Sequence, residues 1–104
     1  MDLKDKLAAA FAPIPGTRVL RVKPVRDRWL VYVVSKTFSG QTHLERQQVI
    51  DAALTGPLSP LTGGEYRRIA LVYPFSPREL RGYLAARRAD RARRLNQKPA
   101  GPTP

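Results

Sequence analysis

An α+β fold, with a three-stranded mixed sheet and helices packed on one face, is predicted by three features of this 104-residue sequence. Apolar residues recur at helical spacing near the start, two β-branched runs follow each other across a short polar turn, and a capped helix separates them from a third alternating run. The predicted order is helix, strand, strand, helix, a short helical turn, strand, helix. A chain of this length builds one hydrophobic core and little more.

Leu3, Leu7 and Phe11 lie on an i, i+4, i+8 stripe, with Asp2 and Asp5 near the end where the helix dipole favours acids, so residues 2–12 form the first helix. Pro13, Pro15 and Gly16 end it and turn the chain. From Val19 to Val25 the sequence alternates as a half-buried strand does, with Leu20 and Val22 on one side and Arg21 and Lys23 on the other. After the turn "VRDRW", the run from Trp29 to Val34 is apolar on both faces and is therefore the central strand. These two strands form an antiparallel hairpin.

Thr42 and Glu45 then make a T-x-x-E capping box that starts a second helix at His43. Val49, Ile50, Ala53 and Leu54 are its buried arc, and Gly56 with Pro57 ends it. The stretch "PLSPLTGG" has room for a single helical turn at most. Tyr66 to Phe75 alternates again and reads as a third strand, which can lie parallel to the central one through a right-handed crossover. Ser76, Pro77 and Glu79 open the last helix.

Charge is the strongest global signal: 19 Lys and Arg stand against 8 Asp and Glu, a net charge of +11, which favours polyanionic partners. Its distribution is uneven. Leu80, Tyr83 and Leu84 share a face of the last helix that Arg87, Arg91 and Arg94 continue, so an apolar stripe becomes an arginine stripe. Unpartnered guanidinium groups are costly to bury, and beyond Ala86 the helix must project into water or lie on something anionic. The expected division is a folded domain over 1–86 and a basic helical extension with a frayed tail over 87–104.

Several classes are not expected. Without cysteine there is no disulfide, thiolate metal site or thiol nucleophile. No apolar run approaches the roughly 20 residues that cross a bilayer, and the first residues do not read as a secretory signal. A soluble, cytoplasmic chain with no membrane partner is the expectation. Glu45, Asp51 and Glu65 are scattered and none lies in an apolar run, and no P-loop, dinucleotide fingerprint or nucleophile elbow occurs, so neither enzyme nor cofactor is expected. His43 is the only histidine, has no second imidazole or thiolate to work with, and reads as an exposed first-turn residue.

The element order is that of the type II K-homology-like arrangement. Within it, "VVSKTFSGQTHLERQQVI" resembles the signature of the BolA-like family, with Val33, Val34, Ser35, Phe38, Gly40, Thr42, Arg46 and Val49 on the matching positions. "IALVYPFSP" is similar to the family's third strand and last helix start, through Ala70, Leu71, Ser76, Pro77 and Glu79. The resemblance implies the fold over about residues 3–85. It also implies an iron–sulfur role shared with a monothiol glutaredoxin, but Ile69 stands where the family's strand histidine would be, and Gln47 replaces the histidine of the first motif. The loop from Pro24 to Arg28 offers no second ligand, so no metal site is expected. No G-x-x-G lies between the second helix and the third strand, so RNA gripping of the K-homology kind is not expected either.

The expected function is a non-catalytic, regulatory binding module that contacts DNA or RNA mainly through phosphates. Its candidate residues are Lys36, Arg46, Arg87, Arg88, Arg91, Arg93, Arg94 and Lys98. Lys36 and the start of the second helix could hold one phosphate with Arg46, for which a structural salt bridge is equally open. The alternative is an adaptor for a glutaredoxin-like or other acidic protein, with a role in iron–sulfur handling that would need unfamiliar ligands such as His43.

Overall fold

The computed structural model describes residues 2–97. Helix α1 (Leu3–Phe11) leads into strand β1 (Thr17–Val25), strand β2 (Arg28–Ser35) and a 3-10 turn at Lys36–Phe38; helix α2 (His43–Thr55), helix α3 (Gly63–Arg68), strand β3 (Ile69–Phe75) and helix α4 (Pro77–Gln97) follow. β2 is the central strand of a three-stranded sheet, antiparallel to β1 and parallel to β3. The α+β class, the element order and the mixed sheet are those predicted.

Each helix begins where a side chain satisfies its free N–H groups. The Asp2 carboxylate accepts from the Asp5 N–H, and Thr42 with Glu45 forms the expected reciprocal box at α2. At α4, the Ser76 hydroxyl accepts from the Glu79 N–H while the Glu79 carboxylate accepts from the Ser76 N–H. A further box, missed in the sequence, joins Thr62 and Glu65 and starts α3. It recruits Tyr66, Arg67 and Arg68, expected to be strand, into a helix, and β3 begins only at Ile69. Lys6 of α1 donates to both oxygens of Glu65 at 3.0 Å, tying α3 to the first helix.

One face of the sheet carries the core. Val31 and Val33 are fully buried beneath Leu7, Ala10 and Phe11 of α1, Ile50 and Leu54 of α2, and Phe38 of the 3-10 turn. Gly40, at φ +77°, supplies the left-handed turn between Phe38 and α2, and a side chain there would meet nothing within 4 Å. Ser35 is the one fully buried polar residue of β2: its hydroxyl donates to Pro15 O and accepts from Thr17 Oγ1 and the Thr37 N–H. These bonds pin the start of β1 to the end of β2.

Two register shifts alter the expected alternation. In β1 a bulge at Leu20 breaks the pairing between Val19 and Arg21, so Val19 and Val22 face the core while Leu20 and Arg21 both turn to the opposite face. In β3, Ala70 is the extra residue, which lets Ile69 and Val72 both pack on the core. Leu20 was expected beside Val22, and the bulge is what separates them. Helices α1 and α2 cover the core face. The base of α4 leans on the other face, where its Tyr83 ring lies 5.1 Å from that of Phe75.

Replacing Ser35 with Ala strands Thr17 and Thr37 without their buried acceptor, which costs about 1–3 kcal/mol. The expected result is a lower urea midpoint with an unchanged slope in equilibrium unfolding, since the folded state keeps its compactness.

Candidate nucleic-acid interface

The path of α4 is set at its first turn. Arg46, whose side chain is only 12% exposed, donates from Nη1 to the Glu79 carboxylate at 2.6 Å and to Pro74 O at 3.3 Å, and from Nε to Gln41 O at 3.2 Å. One guanidinium thus joins the approach to α2, the end of β3 and the start of α4. The Arg46 hydrogen bond, followed by that from the Ser76 N–H, holds the Glu79 carboxyl down at about 2. Leu80 then faces the sheet, and Tyr83 meets Phe75.

Beyond this base, α4 and the outer face of β1 enclose an open cleft of about 700 Å³. Arg87, Arg88, Arg91 and Arg94 line it from the helix, and Arg21 and Lys23 line it from the strand. Tyr32 and Tyr83 form part of its floor. Among the described residues the single acid in the lining is Asp90, paired to Arg94 at 3.1 Å within the helix. Six cations therefore face one carboxylate. Arg87 lies over the Tyr83 ring, 5.8 Å from its centroid, a cation–π contact that places its charge at the cleft's inner end.

The structure brings together four of the residues singled out from sequence and separates the others. Arg93 is exposed but does not line the cleft. Lys36 is exposed beside Gly16, beyond the end of β1 remote from Lys23; its stem passes so close that a Cβ on Gly16 would sit 3.0 Å from Lys36 Cγ. Arg46 is committed to internal acceptors, so of its two open readings the structure displays the salt bridge. Lys98 lies outside the described residues. Arg21 and Lys23 were missed as site residues. Their signal was the run of alternating cations on the first strand, which looked like an ordinary solvated face until α4 was laid beside it.

The donor set does not fit an iron–sulfur cluster at the positions the family resemblance indicates. Ile69 packs on the core, and Gln47 sits beside Asp51 and Arg67 without thiolate or imidazole nearby. His43 is exposed at the first turn of α2, and no group of three or more His, Cys, Asp or Glu that could hold a metal ion occurs among the described residues. Nor, among them, is any helix long and apolar enough to cross a membrane.

Fold and site together define a small α+β module of type II K-homology-like arrangement, with a basic cleft on the sheet face opposite α1 and α2. No family model matches the sequence, and no curated protein matches it. Among solved structures it is similar to a BolA protein homologue from Coxiella burnetii, with a TM-score of 0.55 and 19% identity, over 78% of this chain and 97% of that one. The fold is therefore BolA-like, as the two sequence motifs implied.

Because the folded Glu79 lies below its ordinary value near 4.5, its contribution to stability is fully present above that value. It is lost as pH falls from about 4.5 towards about 2. Glu79 is about half exposed, so solvent screens the pair and the contribution is modest. Acid titration of unfolding stability is expected to be flatter across this window in Glu79→Gln than in the natural sequence.

Proposed function

We propose that this chain is a non-catalytic binding module that engages nucleic acid mainly through its phosphates. The observation that carries this reading is the cleft between β1 and α4, where Arg21, Lys23, Arg87, Arg88, Arg91 and Arg94 meet one carboxylate among the described residues, Asp90, which pairs with Arg94. Like charges at i, i+3 and i+4 along α4 oppose the helix that displays them, and a polyanion in the cleft relieves that repulsion. Arginines bind phosphate oxygens with paired N–H groups, and each contact releases condensed counterions. Affinity gained this way discriminates little between sequences.

The three glutamates with shifted carboxyls serve as helix caps and ion-pair partners, and none has the character of a general acid. Glu45, Glu65 and Glu79 are all held below the ordinary glutamate value, first of all by the Thr42 backbone, the Thr62 backbone and the Arg46 side chain respectively. A general acid needs the opposite shift.

Binding to short DNA and RNA is expected to weaken steeply between about 50 mM and about 200 mM salt. Simultaneous replacement of Arg87, Arg91 and Arg94 by Ala should lower the slope of log affinity against log salt by roughly two to three. Arg93→Ala, outside the cleft, should change it by less than one such contact. Absence of affinity at low salt, or affinity unchanged in the triple variant, overturns the reading. In that event, association with an acidic, glutaredoxin-like protein that survives nuclease treatment would assign the cleft to an adaptor role.

A further inference from the structure

Where α4 meets the sheet, the basic lining gives way to an apolar well of about 200 Å³, walled by Leu20, Phe75, Leu80 and Leu84 with the rings of Tyr32 and Tyr83. Arg18, Arg21 and Arg87 stand around it. Tyr32, Tyr83, Leu84, Arg21 and Arg87 line both the well and the basic cleft, so the two form one continuous depression. The well is smaller than the roughly 300–1,000 Å³ that hold whole small molecules, which suits it to one flat ring. Tyr83 and Leu84 remain 36% and 41% exposed, apolar surface left facing water at a spot ringed by cations.

The orientation of Tyr32 adds a direction. Its ring stacks on Tyr73 of the neighbouring strand at 4.8 Å and 16°. That distance is the spacing of adjacent strands, so the two rings stand on edge above the sheet with their faces turned along the line from β3 to β1. One face of Tyr32 is covered by Tyr73, and the other is turned towards β1, where its cross-strand partner Arg21 stands beside it at the rim of the depression that both line.

We infer that the depression is selective for single-stranded over duplex nucleic acid, receiving one unstacked base in the apolar well between Tyr32 and Tyr83 while the flanking phosphates lie along Arg21, Arg87, Arg91 and Arg94. The inference rests on the phosphate-binding reading and deepens it. A duplex keeps its base faces inside the stack and offers the well nothing, whereas a single strand presents them, and a base on an aromatic platform adds affinity whatever its identity. Phosphate contacts alone predict the reverse order, because duplex DNA carries the higher charge density and releases more counterions per contact.

The test compares four probes on the full chain at low salt by fluorescence anisotropy: a short mixed-sequence single strand of DNA, its RNA equivalent, the matching duplex, and a single strand of the same phosphate count built from abasic sites. Either base-bearing strand is expected to bind tighter than the duplex, and tighter than the abasic strand by about tenfold. Tyr32→Ala should remove that advantage over the abasic strand, and Tyr32→Phe should keep it. Should Tyr32→Ala fail to fold by circular dichroism, the abasic comparison on the natural sequence decides alone. Binding of the duplex as tightly as the single strands, or of the abasic strand as tightly as its base-bearing counterpart, overturns the inference while leaving the phosphate reading standing. Binding of no probe overturns both.

Discussion

The arrangement depends on one ion pair. Arg46 and Glu79 fix the angle at which α4 leaves β3, and everything the cleft contains on its helical side follows from that angle. The pair matters more for geometry than for net stability, since desolvating a guanidinium offsets much of what its attraction to a carboxylate contributes. Here the cost is reduced by two backbone carbonyls that accept from Nε and Nη1 of the guanidinium, and by Glu79 remaining half in water. Glu79 also caps its own helix, so a single carboxylate links local helix start to tertiary placement.

From that anchor the helix has two lives. Its first turns pack Leu80 and Tyr83 against the sheet, and its later turns carry arginines for which, among the described residues, the one ion pair is that of Asp90 with Arg94. A helix of this kind is held at one end by packing and left exposed at the other, where like charges repel. The bulge at Leu20 completes the picture from the other wall. Without it Arg21 would alternate onto the core face, and the strand could not present Arg21 and Lys23 together to α4.

The fold is BolA-like, yet the positions that the resemblance would give to cluster ligands hold Ile69 and Gln47. A shared scaffold does not carry a shared chemistry with it, because the core on one sheet face and the side chains on the other answer to different constraints. The core face holds buried valines, Phe38 and Ser35. The opposite face carries cations and tyrosines.

The sequence by itself determined the elements whose causes are local. Caps at Asp2, Thr42 and Ser76, the Pro13–Gly16 break, the apolar run of β2 and the switch from apolar to arginine stripe on α4 each act within a few residues. It also determined that the distal helix must meet water or an anion. Tertiary structure alone decided which cations share a surface. Arg46 was open between a salt bridge and a phosphate, and acceptors at Pro74 and Glu79, about thirty residues on, claim it together with the nearby Gln41 carbonyl, while Arg21 and Lys23 join the cleft through a bulge and a helix packed from across the sheet. Even the lost start of β3 had this character, for Thr62 and Glu65 form a local box whose helix is then held by Lys6, 59 residues away. Periodicity records which side of its own element a residue occupies; the neighbour it faces is set by loop closure and packing over distances that no local pattern encodes.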